Sequence, residues 1–267
     1  MKNELIIRRL ELARDYMNLL DEAGYQLIDM NMVEPFHIED KRHHSSTIIF
    51  EKNEQLFSIR SDWTRSLLNY NENYYLSHRF FGYFGPVVRN YKTFYQAGVE
   101  LYRPSEHEVL KSIDMHLSFA AGQSDGEFQS IIVNDDKLLD LYIDKYQLDS
   151  DIRHLVYEKN ISEIRKRLGE THPLYQLMAA KVSDQINLIN GEFGDGEIMS
   201  FINHLNEYLT KYHMKFIVDL SFRSPQSYYN GFYFQVFLDH DHPLLSGGEY
   251  NSNAFGIALN LSDGGLL

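Results

Sequence analysis

The sequence predicts an α+β fold, a mostly antiparallel sheet flanked by helices. Three observations predict it. Residues 80–103 hold two aromatic-rich β runs, FFGYFGPVVR and TFYQAGVELYR, with very little between them. Such a junction demands antiparallel pairing, because parallel strands need a crossover of about a dozen residues or more. β character returns at 215–222 (KFIVDLSF), 228–238 (YYNGFYFQVFL) and 254–261 (AFGIALNL). Between these β regions, from about 137 to 212, the pattern is almost entirely helical and polar-rich, which reads as a helical insertion within a single domain spanning 1–267.

The remaining elements follow in chain order. Ile6, Leu10, Ala13, Met17 and Leu20 recur at spacings of three and four and predict one apolar face of an N-terminal helix, which Gly24 is placed to end. Tyr25 to Val33 alternates in part and stops at Glu34-Pro35, as a strand would. Residues 47–60 predict a hairpin turning at Lys52-Asn53-Glu54. Ser105 followed three residues later by Glu108 is a capping box, opening a helix whose buried stripe is Val109, Leu110, Ile113, Leu117 and Ala120, with Gly122 able to close it. Phe128 to Val133 is a short strand leading into Asn134-Asp135-Asp136, a cap for the next helix. The helical stretch is broken at Asp149, Gly169, Pro173 and Gly191.

Composition narrows the function classes. The 267 residues suffice for a substantial core, and 43% hydrophobic content with 19 Tyr and 17 Phe is globular. With 25 Lys+Arg against 38 Asp+Glu the net charge is −13, so the basic footprint of a nucleic-acid binder is missing and no nucleic-acid partner is expected. The absence of cysteine excludes disulfides, thiolate metal sites, iron–sulfur clusters and a cysteine nucleophile. No apolar run approaches the roughly 20 residues that cross a bilayer. The N-terminal MKNELIIRRLELARDY carries acids throughout, unlike a secretory signal, so no membrane partner and a cytoplasmic location are expected.

Familiar catalytic strings are missing: no Gly-x-x-x-x-Gly-Lys-Ser/Thr phosphate loop, no Gly-x-Ser-x-Gly elbow, no His-Glu-x-x-His helix. Gly191 to Gly196 is glycine-rich, but its two acids would repel phosphate, and it reads as a loop between helices. Asp239-His240-Asp241-His242 has metal-ligand residue types without an obvious third ligand, and His43-His44 reads as a surface pair. No metal and no cofactor are expected.

Several strings carry a resemblance. Glu22-Ala23-Gly24-Tyr25 with Glu34-Pro35, then Phe57-Ser58-Ile59-Arg60-Ser61-Asp62-Trp63-Thr64, then Val88-Arg89 with Phe94-Tyr95-Gln96-Ala97-Gly98-Val99-Glu100, then Tyr228-Tyr229-Asn230-Gly231-Phe232-Tyr233-Phe234, then Ser246-Gly247-Gly248-Glu249-Tyr250 and Phe255-Gly256-Ile257-Ala258-Leu259, follow one another in order. This series resembles the class II aminoacyl-tRNA synthetases of the histidine type, end to end. The first string stands for motif 1, which makes the dimer interface in that family. The Val88–Glu100 strings stand for the two strands of motif 2, the tyrosine pair for the histidine-specific region, and the last for motif 3.

The departures from the synthetase pattern bear on function. The turn Asn90-Tyr91-Lys92-Thr93 is far shorter than the synthetase loop that reaches ATP and the tRNA end. The motif 3 arginine falls near Asn260-Leu261, which offers no guanidinium. The arginine ahead of the tyrosine pair is replaced by Ser224, and the adjacent Arg223, on a strand, would point to the opposite face. Glu249 stands for the arginine of Gly-Gly-Arg-Tyr, and no anticodon-binding domain is expected. Loss of several cations around one phosphate site removes transition-state stabilisation. The resemblance therefore implies the regulatory-subunit family of ATP phosphoribosyltransferase, which keeps this fold without ligase chemistry. It implies no catalysis by this chain, a homodimeric core within a hetero-oligomer, a short-form catalytic subunit as partner, and histidine as an effector in feedback inhibition. The rival readings are a minimal histidyl-tRNA synthetase or amino-acid:AMP ligase, and a plain binding module.

If a histidine pocket is retained, its candidate contacts are Asp62, Thr64, Arg89, Gln96, Glu100, Tyr228 and Tyr229. Asp62 and Glu100 would accept from an ammonium or imidazole N–H, Gln96 offers donor and acceptor, and Arg89 would pair with a carboxylate. Bland alternatives stand beside them. Arg89 and Glu100 would make a cross-strand ion pair, Asp62 a helix cap, and Tyr229 and Phe234 core packing. Of Tyr228 and Tyr229, adjacent on a strand, one would face the ligand side.

Overall fold

The computed structural model describes residues 2–36, 46–73, 77–124, 126–224, 226, 228–239, 241–251, 253–262 and 265–267. In chain order its elements are α1 (Lys2–Glu22), β1 (Gln26–Leu27), β2 (Val33–Pro35), β3 (Ile49–Lys52), β4 (Gln55–Ile59), α2 (Trp63–Asn73), β5 (Phe80–Arg89), β6 (Lys92–Tyr102), α3 (Glu106–Gln123), β7 (Ser130–Asp135) and α4 (Asp136–Tyr146). There follow α5 (Ile152–Tyr157), α6 (Ile161–Leu168), α7 (Pro173–Ala179), α8 (Val182–Phe193), α9 (Glu197–Tyr208), a 3₁₀ turn (Thr210–Tyr212), β8 (Lys215–Val218), β9 (Tyr229–Phe237), β10 (Leu245–Tyr250) and β11 (Ala254–Asn260). Two units divide the chain: Met1–Glu127 with His240–Gly247 and Asn253–Leu267, and Phe128–Asp239 with Gly248–Ser252.

In the first unit, β5 lies between the parallel β1 and the antiparallel β6, and β6 also pairs antiparallel with β11. A small antiparallel sheet, β2-β4-β3, stands beside them. α1 ends as expected: Gly24 takes φ +82°, and the Tyr25 and Gly24 amides donate to the carbonyls of Leu20 and Asp21, both at 3.0 Å. Its buried face, however, is Leu12, Tyr16 and Leu20. Of the predicted stripe only Leu20 is buried, while Ile6 and Leu10 are 46% and 62% exposed. Tyr16 decides between the two stripes. Its hydroxyl meets His116 Nε2 at 2.8 Å, its ring stands edge-on to Phe119, and Leu20 sits where a side chain on Gly82 would otherwise be.

The strand expected from Tyr25 to Val33 splits into β1 and β2, because Arg60 takes the backbone between them. Its side chain donates to the Met30 carbonyl at 3.0 Å and its amide to the Met32 carbonyl at 2.8 Å. Both hairpins close on two residues with positive φ, Asn53-Glu54 (53° and 62°) and Asn90-Tyr91 (48° and 63°), the turn whose twist matches paired strands. Lys92 and Thr93, expected in the second turn, already belong to β6. α3 has the predicted capping box and the predicted buried stripe, but it runs past Gly122 to Gln123.

In the second unit β7 lies between the antiparallel β9 and the parallel β8. Asp135 caps α4, accepting from the Lys137 amide at 2.8 Å. Gly169 (φ +83°) ends α6 and Pro173 opens α7. Gly191 lies inside α8, and the break falls instead at Gly194–Gly196, just before α9. β8 ends at Val218, short of the predicted 222, and β10 was not predicted at all. His43-His44 and His240 lie outside the described residues; Asp239 accepts from Gln129 at 2.9 Å. Among the described residues no helix is long and apolar enough to cross a membrane.

His116 is fully buried, with Nδ1 2.7 Å from the Ser112 carbonyl. Nδ1 therefore carries the proton, and Nε2 accepts from Tyr16. Burial pushes its pKa down from 6.5 to about 4. An unfolded chain takes the proton first, so this contribution is intact above pH 6.5 and is lost as pH falls toward 4. Urea unfolding at pH 7 and pH 5 should differ by on the order of 2 kcal/mol from this group, and His116→Asn should flatten that part of the slope.

Candidate functional site

Register decides which candidates meet in the first unit. Glu100 lies opposite Phe81 and Gly256, Gly98 opposite Tyr83 and Ala258, and Gln96 opposite Gly85 and Asn260. Side chains alternate along a strand, so Arg89, Gln96 and Glu100 share one face of this sheet. The start of α2 reaches the same face. Thr64 Oγ1 donates to Glu100 Oε1 at 2.6 Å, and Glu100 is wholly buried. Gly256 is needed beside it, since a Cβ there would stand 2.7 Å from Glu100 Oε2.

The predicted Arg89–Glu100 cross-strand pair is not formed, because the strand partner of Arg89 is Lys92. Arg89 instead pairs with Asp62, Nη2 to Oδ2 at 3.3 Å, and its Nε donates to the Ser61 carbonyl at 2.7 Å. The other Asp62 oxygen accepts from the Arg65 amide at 3.0 Å and caps α2.

Aromatic rings occupy space above the small residues of this sheet. Trp63 stacks on Tyr83 with ring centroids 4.6 Å apart, and both are buried. Side chains on Gly85 or Gly98 would collide with Trp63 and with the Tyr83 hydroxyl, at 2.7 and 2.4 Å. The guanidinium of Arg60 lies 3.6 Å from the Trp63 ring centroid and donates to the carbonyls of Met30 and Pro86. Sequence reading passed over Arg60 as one letter of a string; the signal available was an arginine three residues before the lone tryptophan. Beside it a hollow of about 10 Å³ is lined by Glu34, Thr47, Ser61, Asp62 and Ser66, among others. That is space for about one water. Glu34 Oε1 is buried there without a hydrogen-bond partner, and burial raises the Glu34 pKa against the pull of a Ser66 hydrogen bond and Arg60.

In the second unit Tyr228 precedes β9 rather than lying on it, so strand alternation does not separate the pair. The Tyr228 and Tyr229 rings are 4.7 Å apart, Tyr228 meets Tyr250 edge-on, and Tyr229 meets Tyr233. Phe234 is packed in the core, as expected, whereas Tyr229 is half-buried. Arg223 is not on a strand and lies over the Tyr157 ring at 4.4 Å. Glu249 Oε2 accepts from the Phe232 amide at 3.4 Å and lies 3.9 Å from Lys137 Nζ. It fills the space a side chain on Gly231 (φ +120°) would need. Burial raises the pKa of Asp135 to about 6, with Glu249 adding to the rise.

The Phe57–Thr64 string runs from β4 into α2 and the Val88–Glu100 strings lie on β5 and β6, and the sequence pattern of one family, Histidyl-tRNA synthetase, matches residues 4–262. The chain belongs to the histidyl-tRNA synthetase family. Within it, the chain is 26% identical over 268 residues to the ATP phosphoribosyltransferase regulatory subunit of Staphylococcus aureus (strain Newman), covering 97% of this chain and 98% of that one. Solved structures share the fold. An ATP phosphoribosyltransferase regulatory subunit/histidyl-tRNA synthetase from Bacillus halodurans C superposes at TM-score 0.76 and 18% identity, over 97% of this chain and 78% of the other. A chain of the ATP phosphoribosyl transferase (HisG:HisZ) complex from Thermotoga maritima gives TM-score 0.73 at 17% identity, over 95% and 97%. Histidyl-tRNA synthetase from Nostoc sp. PCC 7120 gives 0.70 at 15%, over 96% and 70%.

Removing the donor to a buried carboxylate is costly. Thr64→Val should destabilise the chain by about 1–3 kcal/mol in urea unfolding, whereas Thr64→Ser should retain most of the stability.

Proposed function

We propose that this chain is the non-catalytic regulatory subunit of an ATP phosphoribosyltransferase, the enzyme opening histidine biosynthesis, that it activates a short catalytic subunit, and that it relays feedback inhibition by histidine. The observation that carries this reading is the two-residue turn Asn90-Tyr91. A ligase of this family needs a long loop there to hold ATP and the tRNA end, and a hairpin closed on two residues has nothing to reach with. The side chain at Glu249 supports the same reading, since a carboxylate stands where a synthetase places a guanidinium. Full-length similarity to proteins named regulatory subunits gives the partner. The reaction, ATP with phosphoribosyl pyrophosphate giving phosphoribosyl-ATP and pyrophosphate, then belongs to the catalytic subunit, in the cytoplasm.

Histidine is assigned to Asp62, Thr64, Arg89, Gln96 and Glu100 of the first unit. An incoming ammonium or imidazole exchanges for internal partners: it displaces the Thr64 hydroxyl from Glu100 or the Arg89 guanidinium from Asp62. Homodimerisation is assigned to α1. Ile6, Leu10, Ala13 and Met17 follow the four–three–four spacing of a helix-pairing seam, and Ile6 and Leu10 are exposed.

Adding the chain to its organism's short catalytic subunit should raise the rate of phosphoribosyl-ATP formation, and histidine should suppress it. Glu100→Gln should weaken that suppression. Histidine-dependent exchange of pyrophosphate into ATP by the chain alone should stay at background; a clear exchange signal would establish the ligase reading instead. Leu10→Glu, at the exposed seam, should convert the dimer to a monomer in sedimentation velocity without loss of helicity.

A further inference from the structure

The opposite side of α1 carries a groove that neither the core nor the pairing seam uses. It measures about 520 Å³ and lies between α1 and α3. Leu19, Met115 and Phe119 supply apolar surface, and Asp15, Asn18 and Glu22 stand along its α1 wall. With Glu11 one turn earlier, these wall residues recur at spacings of four, three and four, so they form one rail along the helix. On α3 the lip is low: Ser118 and Gly122 are exposed, and a side chain added at Gly122 would meet nothing within 4 Å. Two nearby cations are already engaged. Arg14 pairs with Asp15 at 2.8 Å, and Arg8 donates to the Gln123 carbonyl at 2.7 Å. Among the described residues no lysine or arginine lines the groove.

We infer that this groove is the docking site for a cationic amphipathic segment of the catalytic subunit, apolar side chains seated on Leu19, Met115 and Phe119 and lysines or arginines against the acidic rail. The inference rests on the regulatory-subunit reading. Charge selects the occupant. A two-fold contact between copies sets the same patch against itself, which would face Glu11, Asp15 and Glu22 with their own copies. A partner helix bearing the opposite charge gains from both the apolar floor and the rail.

The test mixes the full chain with its organism's short catalytic subunit and follows complex mass and affinity by sedimentation velocity and titration. Ser118→Arg places a long cation at the exposed lip, and the double variant Asp15→Asn, Glu22→Gln removes two of the rail's three carboxylates; neither touches the core. Ser118→Arg should weaken the heteromer by roughly tenfold or more and leave the homodimer mass unchanged, while Ser118→Ala should bind as the unmodified chain. The double variant should bind more weakly at low salt and lose most of the salt dependence. Unchanged heteromer affinity in Ser118→Arg overturns the docking site, and so does loss of the homodimer, which would make a second copy the occupant. If the unmodified chain itself forms no heteromer, the regulatory-subunit reading fails first and the docking site falls with it.

Discussion

The buried guanidinium of Arg60 organises the first unit. A cation taken out of water costs several kcal/mol unless its hydrogen-bonding capacity is met. Arg60, 3% exposed, meets it with the carbonyls of Met30 and Pro86 and the sulfur of Met32, and the Trp63 ring faces it. Three stretches far apart in sequence are fixed by one side chain: the link between β1 and β2, the middle of β5, and the start of α2. The backbone of Arg60 adds to this, its amide donating to Met32 and its carbonyl accepting from Val88 at 2.9 Å. Asp62 and Thr64 follow directly in sequence, so their placement over the sheet depends on the same anchor. Burial lowers the Arg60 pKa, with the carboxylates of Glu34 and Asp29 opposing it. A lysine could not reproduce the arrangement, because it lacks the planar fork that serves several carbonyls at once.

The second constraint is the fit of rings onto glycines. Gly85 admits Trp63 and Gly98 admits Tyr83, and the two rings stack. Floor space in a ligand-binding sheet is normally left open for the ligand, and here part of it is taken by side chains of the chain itself. Two of the polar candidates are occupied in the same way: Glu100 has Thr64, and Asp62 has Arg89 and the α2 amide. Satisfied buried groups bind a ligand only by exchanging partners, which makes affinity modest and sensitive to small displacements. That property suits an effector site better than a site required to grip a substrate through a reaction.

Local patterns were legible in the sequence wherever one stretch decided the outcome by itself. The capping box at Ser105, the positive-φ turns after Lys52 and after Arg89, and the Pro173 helix start all depend on neighbouring residues alone. What stayed hidden depended on distant partners. α1 carries two apolar stripes, and periodicity could not say that a hydrogen bond from Tyr16 to His116, a hundred positions away, would favour the one containing Leu12. Residues 28–32 alternate like a strand, yet Arg60 claims their carbonyls. β10 has two central glycines and weak β propensity; Gly248 is there because Tyr229 and the Phe232 carbonyl leave no space for a side chain. Among the candidate residues, shared strand parity of Arg89, Gln96 and Glu100 followed once the hairpin was placed. The pairing of Arg89 with Asp62 did not, since it joins a strand to a helix cap.

The charge at Glu249 has a consequence for how such a subunit can act. Its carboxylate is held at the Phe232 amide, close to Asp135, and the neighbouring Asp136 accepts from the Gly231 amide. Those two amides are the kind of backbone donors that hold anions, and here they are spent on the chain's own acids. A phosphate approaching this face would have to displace a carboxylate and then sit among others. Lys137 stands 3.9 Å from Glu249, and Arg153 and Arg223 act on Asp136, so the carboxylates here are partly offset by the chain's own cations. In the proposed reading, the sign change at Glu249 is one departure among several, beside the two-residue turn Asn90-Tyr91, that count against ligase chemistry.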